Sequence, residues 1–199
     1  MKSFYSRIAA LAALLALCLP AGAQRGIRTA PAPLDQLSRE AALIVRGHIT
    51  SARVEPHPQF ENLMTVVVTM QIAETLKGPS RKTLQFRQYI WDMRERLDAA
   101  RYAKGQELLL LLGPVSPYGL RSPVGLDQGR FRIVRDHQGE AMAVNGAGNN
   151  GLFVTVAQHA QARGLQLSPR ARTLVNGASR GPVPLAALTD AIRVLGNTE

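Results

Sequence analysis

Alternation of apolar and polar positions dominates the middle of the chain, from about residue 42 to residue 144. Ala42–Val54 is β-branched and partly alternating, which predicts a long strand, and Gly47 in its middle predicts a bulge or a sharp bend. A polar, Pro-containing connection (Glu55–Asn62) leads to a second strand over Leu63–Glu74, with Met64, Val66, Val68, Met70 and Ile72 on one face. Lys77-Gly78-Pro79-Ser80 predicts a turn. Thr83–Ile90 follows as a third strand, with Leu84 and Phe86 alternating against Thr83, Gln85 and Arg87. Glu107–Leu112 contains five consecutive leucines and predicts a strand buried on both faces or a barrel stave. Gly129–Arg135 turns Phe131 and Ile133 away from Arg130 and Arg132; Asp136–Gly139 makes a turn, and Glu140–Val144 returns as a short strand.

Elsewhere the period changes or disappears. Residues 91–104 are charged, and Trp91, Leu97 and Tyr102 are expected to anchor a loop or short helix there. One or two helical turns are expected over residues 35–42, with Asp35 as N-cap. Thr155–Arg163 carries a Thr-x-x-Gln capping box (Thr155, Gln158) with Gly164 at the C′ position, and Ser168-Pro169 opens another turn. The strongest helix is Pro184–Leu195. Leu185, Leu188, Ile192 and Leu195 share a face, Pro184 suits the first turn, and Gly196 ends it. No long-period repeat is present.

The N-terminal pattern belongs to export rather than to a fold. Lys2 and Arg7 precede an uncharged apolar run, Ile8–Leu19, and Ala21-Gly22-Ala23 supplies small residues at the A-x-A positions. The run falls short of the roughly 20 residues that a spanning helix needs. Cleavage is expected before Gln24. Cys18, the one cysteine, lies inside the run behind Leu17, which does not suit a lipoprotein signal, so the mature chain has neither disulfide nor thiolate metal site. The chain therefore divides into a signal peptide (1–23), a flexible leader (24–37), a β domain (38–144) and a Gly/Asn-rich connector with short C-terminal helices (145–199).

The strand pattern, with its uneven loops, predicts a mainly β fold: a small, OB-like closed β-barrel of five to six strands with C-terminal helical additions. Three segments carry a resemblance. Ala42-Leu43-Ile44-Val45-Arg46-Gly47-His48-Ile49, Val66–Thr75 running into Leu76-Lys77-Gly78-Pro79, and Lys104-Gly105-Gln106-Glu107 leading into the leucines resemble the netrin-like domains. That family uses the oligosaccharide/oligonucleotide-binding (OB) barrel found in tissue inhibitors of metalloproteinases and in bacterial exported proteins. The resemblance covers roughly residues 38–144 and implies the fold. The inhibitors chelate the protease zinc through an N-terminal cysteine. Here the mature chain starts at Gln24, so no family site residue carries over.

With 24 basic against 14 acidic residues, the chain has a net charge of +10. Such a surface attracts anionic partners. The charges are scattered, however, and the densest cluster (Asp92, Arg94, Glu95, Arg96, Asp98, Arg101) mixes signs. A solvated cationic surface is the simpler reading.

Motifs that suggest chemistry lack its context. Gly177-Ala178-Ser179-Arg180-Gly181 matches a nucleophile elbow, but Pro182 and Pro184 interrupt the helix that motif needs, and no histidine follows Ser179. Gly146-Ala147-Gly148-Asn149-Asn150-Gly151 matches G-x-G-x-x-G, yet the next acidic residue is Asp190, far beyond the position that would bind a ribose. His57 with Glu61, and His137 with Glu140, each offer an imidazole and a carboxylate without a third ligand. His48 is expected to line the barrel. Phe131 between Arg130 and Arg132, with Arg87 and Tyr89, is the nearest approach to a base-stacking platform, and nucleic acid is not the expected partner.

The sequence thus predicts an exported protein, periplasmic or secreted, that is a binding or interaction module and not an enzyme. No catalytic, cofactor-binding or metal residues are assigned, and no cofactor is expected. The expected partner is another exported protein or an anionic envelope component. Inhibition of an extracellular protease through the barrel rim is the alternative, and a hydrolase with a site the sequence does not reveal is a lesser one.

Overall fold

A computed structural model describes residues 30–178 and 180–196; residues 1–29, where the expected signal peptide falls, Ser179 and residues 197–199 lie outside them. Residues 30–33 have no regular secondary structure and lead into helix α1 (Leu34–Glu40). Two long strands follow, β1 (Leu43–His57) and β2 (Phe60–Lys77), then β3 (Thr83–Tyr89). Two short turns, Met93–Arg96 and Ala99–Arg101, separate β3 from β4 (Glu107–Leu112). Strands β5 (Arg130–Arg135) and β6 (Ala141–Asn145) precede helices α2 (Val156–Ala162) and α3 (Pro169–Gly177). A two-residue strand β7 (Val183–Pro184) runs into helix α4 (Leu185–Gly196).

One antiparallel sheet holds the strands in the order β3-β2-β1-β4-β5-β6-β7. Taken from β4 to β3, its first four strands follow the Greek-key order, with the fourth returning by a long connection to lie beside the first. The mainly β class and the C-terminal helices agree with the sequence. Barrel closure and the strand count do not. Instead of five or six strands closing on themselves, seven form an open sheet. Closure fails because, among the described residues, no strand pairs with the outer edge of β3. Leu120 and Arg121 meet that edge instead, and the Arg121 amide donates to the Arg87 carbonyl at 2.8 Å.

The five leucines of β4 explain how the sheet is covered. Alternate side chains of a strand point to opposite faces. Leu108, Leu110 and Leu112 enter a core shared with one face of β1, β2 and β3, with Val45, Val66, Met70, Leu84 and Phe86. Leu109 and Leu111 enter a second core beneath the helices, with Leu34, Leu37, Phe131, Leu188 and Ile192. Each fully buried leucine contributes about 1.5–3 kcal/mol. The predicted β2 face is realised by Val66, Val68 and Met70, with Ile72 partly buried beside them.

The segments behind the family resemblance have identifiable structural work. A Cβ on Gly47 would lie 2.0 Å from the Gln71 carbonyl oxygen, at a register shift between β1 and β2. Leu76 is buried against the helices, and Gly78 takes a φ of +87° in the turn that follows. Between them, Lys77 Nζ donates to the carbonyls of Ser38 (2.9 Å) and Arg39 (3.1 Å), capping the end of α1.

Two predicted caps are not formed. Asp35 lies inside α1 rather than before it, Pro33 holds the N-cap position, and the Asp35 carboxylate turns to Arg39 and His159. Thr155 precedes α2 with φ 64°, and its hydroxyl bonds the Val154 carbonyl instead of the helix amides. Ser168 does cap α3, accepting from the Ala171 amide.

Candidate functional site

The opening between β3 and β5 is bridged by side chains. Tyr102, the one expected anchor of the 91–104 segment that is buried, packs edge-on against Phe86 and donates its hydroxyl to Gln88 Oε1 at 2.8 Å. Burial pushes that hydroxyl up to about 12 despite the neighbouring Arg130, so it remains a donor. The Arg130 guanidinium, from the start of β5, sits 5.0 Å above the Tyr102 ring. Its two other partners are the Ala100 carbonyl (2.7 Å) and Asp127 Oδ1 (2.8 Å). Asp127 Oδ2 accepts from Arg101 at 2.7 Å, so both carboxylate oxygens are engaged by guanidiniums.

This chain of contacts holds a strained backbone. Ala99, Ala100 and Arg101 are consecutive residues in the left-handed region, with φ of 49°, 54° and 63°. Such conformations cost non-glycine residues about 1–2 kcal/mol each. Leu126, beside Asp127, is left-handed as well. Strain of this kind gathers where a surface must be held in one shape for a task.

Around the seam lies a cavity of about 840 Å³. Gln88 of β3, Trp91, Glu95 and Asp98 of the following segment, and Ala147 and Asn150 of the loop after β6 contribute to its lining. Trp91 and Leu97 are not the expected anchors. Trp91 is 58% exposed, touching the Tyr89 ring edge-to-face at 4.8 Å, and Leu97 is 91% exposed. The N-terminal segment also reaches the cleft, where Pro31 joins its lining. The buried Gln128 carboxamide fixes that segment, accepting from the Ala32 amide (2.8 Å) and donating to the Ala30 carbonyl (3.0 Å).

The other predicted candidates fall elsewhere. Phe131 is fully buried beneath the helices, so it offers no stacking platform, and Arg87 is engaged by Glu55 and Thr65. His57 is buried with both ring nitrogens used: Nδ1 accepts from the Gln59 amide, and Nε2 donates to the Tyr118 carbonyl at 2.8 Å. His48 does not line the sheet's interior; it is exposed, 3.8 Å from Glu107. His137 is exposed in the turn after β5. Among the described residues no group of three or more His, Cys, Asp or Glu is placed to hold a metal ion.

The glycine-rich match at 146–151 is a loop stitched by carboxamides. Asn145 Oδ1 accepts from the Ala147 and Asn149 amides, and Asn149 Nδ2 donates to the carbonyls of Ala143 and Gly181. No helix opens at Gly151; α2 begins at Val156. Gly177 ends α3, and Ser179 lies outside the described residues. Among the described residues no helix is long and apolar enough to cross a membrane. Comparison with protein-family models finds no match to this chain, and searches of curated proteins and of solved structures find none either.

The cleft was missed because its parts lie far apart in sequence. The available signal was the mixed-sign cluster at 92–101 beside the chain's single tryptophan.

Proposed function

We propose that this chain is an exported, non-catalytic binding module, with an OB-like, netrin-like Greek-key body, that takes its ligand in the cleft between β3 and β5. The observation that carries the reading is the exposed Trp91 on a segment held in a strained shape at the rim of an 840 Å³ cavity. Exposed aromatics beside preformed cavities are what ligand sites present. The Greek-key order, continued by β5 beside β4 and open between β3 and β5, fits the partly open five-stranded barrel of OB domains, with β6 and β7 as an extension. Export rests on the N-terminal pattern of Lys2, Arg7, the Ile8–Leu19 run and Ala21-Gly22-Ala23. Arg101 and Arg130 engage both oxygens of Asp127, the carboxylate at the centre of the contacts, which suits a rigid wall better than proton transfer.

The test is amide chemical-shift mapping of the mature chain against fractionated small molecules and glycans of the cell envelope. Shifts concentrated in residues 88–101 and 125–130 are expected. Shifts confined to other surfaces, or turnover of added ester, peptide or glycan substrates that one side-chain change abolishes, would refute the reading.

One observation favours a second reading. Leu97 projects almost wholly into solvent from the same segment, the form of presentation a protease pocket accepts. Incubation with a panel of extracellular proteases, metalloproteases included, tests inhibition. Loss of protease activity with the parent chain but not with Leu97→Asp would establish it, and full activity at micromolar excess would dismiss it.

A further inference from the structure

The chemistry of the lining narrows what the cleft can hold. Its charged groups have both signs: Glu95 and Asp98 offer only acceptors when ionised, while Arg101 and Arg130 offer only donors. Gln88 and Asn150 add carboxamides, which do both. An anionic ligand would face the carboxylates, and a cationic one the guanidiniums. An extended peptide adding to the sheet needs a free strand edge, and at Arg87 the β3 edge is already engaged by Arg121. The groups that match donor-only and acceptor-only neighbours together are hydroxyls, which donate and accept at once.

Trp91 supplies the complementary half. A pyranose ring carries its C–H bonds on its faces and its hydroxyls around its edge. An exposed indole buries such a face, leaving the edge to the polar groups. The volume of about 840 Å³ falls within the range of small-molecule sites and accommodates a short chain of such rings.

Resting on the proposed binding role of this cleft, we infer that its ligand is an uncharged saccharide, stacked on Trp91 and bonded at its hydroxyls by Gln88, Asn150 and the paired charges. The molecule carries its own reporter. Trp91 is the only tryptophan in the sequence, so indole emission reports on the cleft.

The mature chain is titrated with cellotriose, maltotriose and triacetylchitotriose, and in parallel with trigalacturonate, a lysine-rich tetrapeptide and an alanine–proline tetrapeptide. Saturable quenching and a blue shift are expected with at least one neutral trisaccharide. Calorimetry then gives an affinity that falls at least about tenfold in Trp91→Ala and recovers in part in Trp91→Phe, which restores an aromatic face. Asn150→Ala weakens binding while leaving the circular dichroism spectrum unchanged. A response to trigalacturonate or a peptide alone overturns the saccharide assignment but leaves a binding cleft. Silence towards every probe overturns the assignment, and silence joined to shifts outside the cleft in the envelope screen overturns the binding reading as well.

Discussion

A single missing atom decides how β1 and β2 pair. At Gly47 the strands approach so closely that a Cβ would sit 2.0 Å from the Gln71 carbonyl oxygen and 2.9 Å from the Ile72 Cα, both backbone atoms that cannot rotate away. Gly47→Ala is therefore expected to destabilise the protein by at least about 2 kcal/mol, read as a lower urea midpoint at unchanged slope. A wild-type midpoint would mean that the strands separate without cost there. Asp35 is a second residue with a disproportionate role, fully buried between α1 and α2 and bonded to Arg39 (2.6 Å) and His159 (3.0 Å). Burial alone would raise its carboxyl, but the hydrogen bonds from Arg39 and His159 outweigh burial and hold it below the usual carboxylate range. A depressed folded pKa contributes stability that is complete above the unfolded value of about 4 and disappears as pH falls through the folded one. Asp35→Asn should cost about 1–3 kcal/mol at pH 7 and flatten the acid limb of the stability profile below about pH 4. Equal acid losses in both proteins would remove Asp35 from the explanation.

The turn at Ala99–Arg101 works as an element rather than as three residues. Asp98 Oδ1 accepts from the Arg101 amide, the Ala100 carbonyl accepts from Arg130, and Tyr102 is locked beneath. These contacts over-determine a left-handed shape that alanine does not prefer. Substitutions at Ala99 should rank by tolerance of positive φ. Ala99→Gly is expected to leave the unfolding free energy unchanged or raise it by up to about 1 kcal/mol, and Ala99→Val to lower it by about 2 kcal/mol or more, both read from thermal unfolding. The reverse ranking would show an unstrained turn. This element marks the boundary of what sequence made legible. The strands were readable because period-two alternation is local, and Leu84, Phe86 and Tyr102 are buried as expected. Trp91 and Leu97 were misread because apolar character was equated with burial, although large apolar side chains also occupy surfaces. Phe131 shows a subtler limit. Its alternation against Arg130 and Arg132 is real, but a strand pattern does not say which face the helices will cover.

At the scale of the molecule, β4 joins two cores that the sequence presents as one run of leucines. Among the described residues the two cores have no buried side chain in common; what joins them is strand backbone, above all that of β4, which places Leu108, Leu110 and Leu112 on one side and Leu109 and Leu111 on the other. Charged groups also tie the sheet to α4. Glu74 on β2 bonds both Arg46 and Arg193, and Arg193 pairs with Asp190 at 3.2 Å. These side chains are partly exposed, and such pairs contribute about 0–1 kcal/mol each, against about 2–5 kcal/mol for truncating a buried leucine. Cohesion between the layers then comes mainly from the strands that feed both cores: β4 with two leucines in the helical core, helped by Ile44 of β1 and Leu76 of β2. If it does, neither core can melt while the other stands. Leu109→Ala and Leu110→Ala, one cavity in each core, should each lower a single cooperative transition by about 2–5 kcal/mol, with far- and near-ultraviolet circular dichroism coinciding in both variants. Separation of the two signals in Leu109→Ala alone would mean that the helical layer is an independent unit laid on a self-sufficient sheet, and that the strand does not couple them.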